Sequence, residues 1–137
     1  MNEQELKVRT KQFALRIMKA VSALPRTVAG RALGNQLIRS GTSVGANYRA
    51  ACRGRSKAEF IAKVGIVTEE ADESAYWLEL IAESGLLASE LVGPLHREAE
   101  ELTAIFTASA RTAKANAPKT ASANRAAKER GPETEDC

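Results

Sequence analysis

Apolar side chains near the start of the chain recur at steps of four and three: Leu6, Thr10, Phe13, Ile17, Ala20 and Leu24. Such stepping lays one stripe along an α-helix, whereas a half-buried strand would alternate. Pro25 ends the stripe, because the residue before a proline resists the α region. Thr27 or Arg26 opens a second helix, with Val28, Leu33, Leu37, Val44 and Tyr48 as its inner face. Arg53-Gly54 stops it, the glycine being able to take a positive φ. Ser56-Lys57-Ala58-Glu59 has the spacing of a capping box, and a third stripe follows at Phe60, Val64, Val67, Ala71, Ala75 and Leu78. That helix ends near Ser84-Gly85. Ser89 or Gly93-Pro94 begins a fourth, with Leu91, Leu95, Leu102, Ile105 and Phe106 on one side. Four amphipathic helices joined by short corners predict an all-α, up-down-up-down four-helix bundle over residues 1–113. Residues 114–137 hold no Leu, Ile, Val or aromatic side chain, so they cannot offset the entropy of ordering and are expected to form a disordered tail.

Composition agrees with a helical core. Hydrophobic residues make up 44% of the chain but aromatics only 4%, so alanine and leucine must fill the interior, as suits closely packed helices. The opening MNEQELKVRTKQ has no apolar run behind its charges, which argues against a signal peptide. No stretch approaches the roughly 18 apolar residues of a membrane span, so no membrane partner is expected. Cys52 and Cys137 are too few for a disulfide framework and too isolated for a zinc site, and a reducing cytoplasm is the expected compartment.

Charge changes the picture. The net charge of +3 hides twelve basic residues and no acid between Lys7 and Lys57. From Val64 to Ala113 ten acids face only Arg97 and Arg111, a net of −8. Such segregation marks either a footprint for a polyanion or complementary faces of an assembly, though two solvated faces would look the same.

The segment SGTSVGANYRAACRGRSKAEF, residues 40–60, concentrates both glycine and positive charge. It is not a phosphate cradle: Gly41 to Gly45 lacks the G-K-[ST] of a P-loop, and no strand precedes it. A di-metal bundle site needs Glu-x-x-His on two helices, and the chain has one histidine, His96, with Gly93 three residues before it. No Ser or Cys companion for that histidine can be identified, so neither an enzyme nor a cofactor is expected. What remains is packing. Ser40, Gly41, Ser43, Gly45, Ala46, Ala50 and Ala51 are all small, and glycine inside a helix costs roughly 1 kcal/mol relative to alanine. Close approach of a neighbouring helix or subunit would offset that cost, with a kink near Ser40-Gly41 or a simple loop as alternatives. At about 100° per residue, Arg31, Arg39, Arg49 and Arg53 fall within an arc of roughly 80° opposite Leu37 and Val44. With Arg55 and Lys57 at the following corner they form a candidate nucleic-acid-binding ridge.

The run IRSGTSVGANYRAACRGRSKAEFIAKVGIVTEEADESAYWLELI resembles the four-helix-bundle family named for 23S rRNA intervening-sequence proteins. The matching positions are Ser43, Gly45 and Ala46-Asn47-Tyr48, then Arg53-Gly54, Ser56 and Phe60, then Glu70 to Leu78 with Tyr76 and Trp77. The likeness spans roughly residues 6–108. It implies a small bundle that assembles with itself into a ring, commonly a pentamer, and it carries over no catalytic residue. Accessory proteins of diversity-generating retroelements look related; they are basic rings that engage nucleic acid and a reverse transcriptase. The expectation is therefore a non-enzymatic, cytoplasmic homo-oligomer that binds RNA or DNA through its first two helices. The alternative is a protein-interaction scaffold whose basic and acidic halves pair between subunits or with a partner such as a reverse transcriptase. Asn47, Tyr48, Tyr76 and Trp77 are expected to pack the second helix on the third, because aromatics at helical spacing usually face inward.

Overall fold

A computed structural model describes residues 1–116. They form four helices, α1 (Glu3–Ser22), α2 (Val28–Cys52), α3 (Lys57–Glu83) and α4 (Ser89–Ala115), in the all-α up-down-up-down order expected from the stripes. Connections this short force each helix to run antiparallel to the next. α3 lies between α2 and α4, α2 packs on α1, and α1 meets α4 along a narrow seam that closes the bundle. The core is filled by Phe13, Ile17, Leu37, Val44, Val64, Val67, Leu78, Leu102 and Phe106, all fully buried.

Several local expectations are corrected. Val28 is 78% exposed and Leu91 68% exposed; each stands within the first three residues of its helix. Gly54 does not take a positive φ: α2 closes on Arg53 at φ −94°, and among the described residues only Gly85 has that conformation. α2 is one continuous helix from Val28 to Cys52, so the alternative of a loop at Ser40-Gly41 is corrected. Pro94 sits inside α4, which starts at Ser89 behind Ala88 and has no side-chain cap. The ordered bundle reaches Ala115 rather than Ala113, and the expected tail otherwise lies outside the described residues.

The helix starts show which sequence signals act. Thr27 and Ser56 cap α2 and α3 by accepting from the backbone N–H groups of Gly30 and Glu59, both at 3.0 Å. Glu59 does not complete the reciprocal box, because its carboxylate accepts from the Arg55 backbone instead of from Ser56. The full box belongs to α1, where Asn2 Oδ1 accepts from Glu5 N–H and Glu5 Oε1 from Asn2 N–H. Ser56→Ala is expected to cost about 1 kcal/mol in a thermal or urea melt and to leave the helix count unchanged. A neutral result would show that Ser56 does not anchor α3.

The small residues of α2 have a defined neighbour. A Cβ on Gly41 would lie 2.7 Å from Ile17 Cγ1, and one on Gly45 would lie 3.1 Å from Thr10 Oγ1. Gly34 stands in the same way against Val21 and Leu24. Glycine at these positions lets α1 and α2 approach along one side, so the close contact inferred for this run is with a helix of the same chain. On the other side of α2, the Ser40 and Ser74 hydroxyls lie 2.9 Å apart in a fully buried pair that joins α2 to α3. The carbonyls of Leu37 and Glu70 supply further acceptors, so neither hydroxyl is stranded.

Candidate nucleic-acid interface

The six candidate cations are all on the surface, but they do not form one uniform ridge. Arg39 turns toward α3, where its Nη1 lies 3.1 Å from Glu70 and its Nη2 2.7 Å from Glu73. The hydrogen bond it donates to Glu73, followed by the charge of Glu70, raises its already high pKa. Arg39 therefore ties basic α2 to acidic α3 and is not free for a ligand. Arg31 donates to the Arg26 carbonyl at the opposite end of α2. Arg49, Arg53, Arg55 and Lys57 have no acidic partner among the described residues. They cluster where α2 ends and α3 begins.

A second cation is similarly occupied. Arg9 of α1 reaches across the narrow seam to α4, with Nε and Nη2 each 2.7 Å from Glu98 and Nη2 also 2.6 Å from Glu101. The two-pronged contact with Glu98 matches the planar guanidinium to a carboxylate, a geometry lysine cannot reproduce.

Between α1 and α2 runs an open groove of about 470 Å³. Lys7 and Lys11 stand on its α1 wall and Arg49 on its α2 wall, while Thr10 and Gly45 lie at its base. No acidic side chain lines it. The trough has a packing cause. Gly45 against Thr10 draws the two backbones together, and the small Thr42 and Ala46 above leave space between the long cationic side chains. Lys7 also meets Glu3 one turn away at 2.9 Å, and the partnership lowers the pKa of Glu3, first by hydrogen bonding and then by charge. Lys7 and Lys11 belong to the basic run in the sequence, but only the pairing of α1 with α2 places them opposite Arg49.

The motif aromatics divide. Tyr48 is buried and packs tilted against Phe106 of α4, with ring centroids 5.1 Å apart. Burial, followed by the neighbouring Cys52, pushes its phenol pKa up, so it stays neutral. Trp77 packs partly buried against the core, and Asn47 donates to the Ser43 carbonyl on its own helix. Tyr76 is corrected: it is 52% exposed and only edges against Trp77 at 5.2 Å. Phe60 lies half-buried at the start of α3 and Gly54 fits a tight corner, where a Cβ would stand 3.0 Å from the Ala51 carbonyl oxygen.

Among the described residues, no three His, Cys, Asp or Glu side chains gather as a metal site, and no helix is long and apolar enough to cross a membrane.

The family model of the 23S rRNA-intervening sequence protein matches residues 2–108. The chain belongs to that family. The match covers α1 to α3 whole and most of α4. A crystal structure of a protein of unknown function from the S23 ribosomal protein family of Bacteroides thetaiotaomicron VPI-5482 is similar, with 32% identity and a TM-score of 0.68. The similarity covers 74% of this chain and 94% of that one. A comparison with curated proteins finds no match.

Proposed function

We propose that this member of the 23S rRNA-intervening sequence family is a non-enzymatic, cytoplasmic homo-oligomer that binds nucleic acid through the basic α1–α2 side of its bundle. The observation that carries this reading is the separation of charge in three dimensions. α1, α2 and the corner after them present Lys11, Arg49, Arg53, Arg55 and Lys57 without acidic partners among the described residues. The acids of the chain are concentrated on α3 and α4. With Glu3 and Glu5 on α1 and Glu59 at the corner as the exceptions, a surface so dominated by one sign attracts a phosphate backbone through many contacts that need no base-specific geometry. A ring, with a pentamer as its expected form, would multiply that surface around an axis, and kinship with retroelement accessory proteins would place a reverse transcriptase among its partners.

A second reading is an assembly scaffold. It is favoured by Tyr76 and Leu91, which expose large apolar surface outside the basic side, and by Arg39, which already pairs basic α2 with acidic α3 within one chain. One double variant separates the two. Arg49→Gln with Arg53→Gln is expected to weaken binding to RNA and DNA of every sequence in fluorescence anisotropy, with the assembly mass unchanged in light scattering. A variant that binds as tightly as the parent but falls into smaller species would assign the two arginines to the subunit interface, and no binding by the parent at low salt would leave the scaffold standing alone.

A further inference from the structure

We infer that the α1–α2 groove seats a single phosphodiester strand, gripped between Lys11 on one wall and Arg49 on the other, with Lys7 joining by exchanging its weak, exposed pair with Glu3 for a phosphate. The inference rests on the nucleic-acid reading above and adds the seat, the strandedness and the contact set. The cations stand on opposite walls, so a backbone lying in the trough is contacted from both sides. Lys7 and Lys11 are one helical turn apart, about 6 Å along the axis, comparable to the separation of neighbouring phosphates on a strand. Thr42 and Ala46 are too short to fill the trough, so an extended backbone can lie down to the level of their side chains. A duplex is broader than the roughly 8–10 Å between packed helix axes and would rest on the rim, touching these cations from one side only. With no acid among the lining residues, the trough concentrates positive potential. Lys7 and Lys11 are flexible point charges and phosphate contacts carry no sequence information, so RNA and DNA strands should bind alike.

The two arginines tested above include Arg49 but mostly probe the corner; the groove needs its own variants. Ala46 is exposed, so Ala46→Glu places a carboxylate in the trough without disturbing the core. Labelled oligo(dT), oligo(U) and a DNA duplex of equal length are titrated against the full chain and its Ala46→Glu, Lys11→Gln and Arg31→Gln variants. The single strands are expected to bind more tightly than the duplex, and Ala46→Glu to weaken them about tenfold through like-charge repulsion. Lys11→Gln should flatten the salt slope by about 0.7, one phosphate contact on a single strand. Arg31→Gln, at the far end of α2, should leave binding within about twofold of the parent. Circular dichroism checks folding, and Lys11→Gln decides the matter should Ala46→Glu fail to fold.

Unchanged strand binding by both groove variants, with binding still lost in the Arg49→Gln/Arg53→Gln protein, would overturn the groove and leave the broader reading intact. A duplex preference would overturn the single-strand assignment. Ala46→Glu that dissolves the assembly while binding as before would mark the groove as a contact between copies. No binding by the parent chain would overturn both proposals.

Discussion

Gly41→Ala is expected to destabilise the bundle by about 1–2 kcal/mol, a fall in melting temperature on the order of 4–8 °C for a domain of this size. The added methyl would stand 2.7 and 2.8 Å from the two γ-carbons of Ile17, which is fully buried and has nowhere to turn. Overpacking of this kind costs about 1–3 kcal/mol. The gain in helix propensity, close to 1 kcal/mol, offsets only part of it. Gly65 provides the internal control. It also lies inside a helix, but a Cβ there meets nothing within 4 Å, so Gly65→Ala should stabilise by up to about 1 kcal/mol. The same substitution with opposite signs at two helical glycines would locate the demand at the α1–α2 contact. A neutral or stabilising Gly41→Ala would show that the two helices can separate freely.

Arg9→Ala has the second large expected effect, about 2 kcal/mol. Elsewhere along the bundle, helices share broad apolar faces, but the α1–α4 seam is narrow, and Arg9 crosses it. Its removal strands Glu98, whose side chain is only 15% exposed. Breaking a buried pair in this way costs about 3–5 kcal/mol, and the residual exposure of both partners reduces the figure. Glu101 lies mostly in water and should account for little. Arg9→Lys keeps the charge but loses the paired hydrogen bonds to Glu98, so it should recover less than half of the loss in a chemical melt. Full recovery by lysine would mean that charge alone holds the seam.

The stepping of Leu6, Thr10, Phe13 and Ile17 on α1, and of Val64, Val67, Ala71 and Leu78 on α3, was enough to predict these faces, because only an inward-facing stripe keeps that spacing. Periodicity names a face but not which side chains of a helix's first turn are covered, and Val28 and Leu91, expected inside, lie outside. The small-residue run advertised a close approach, while the identity of its neighbour depended on α1 running antiparallel beside α2. Candidate site residues were legible as charge and illegible as partnership. Arg39 and Arg49 stand at opposite edges of one arc of roughly 80° on a helical wheel, which does not say what either edge faces. The register of α3 places Glu70 and Glu73 within reach of Arg39 alone, and the small side chains between α1 and α2 leave Arg49 on the edge of a groove. The Asn2–Glu5 box was visible at the correct spacing but lay ahead of the first apolar residue, outside the stripe that drew the reading.

The central claim is that the free cations of α1 and α2 meet phosphates, and its most direct test is the salt dependence of strand binding by the parent protein. Anisotropy titrations with oligo(U) across a range of salt concentrations should give a linear plot of log K against log [salt]. Three or four phosphate contacts predict a slope of about −2 to −3 for a single strand. A slope near zero, or no binding at the lowest salt, would contradict the account.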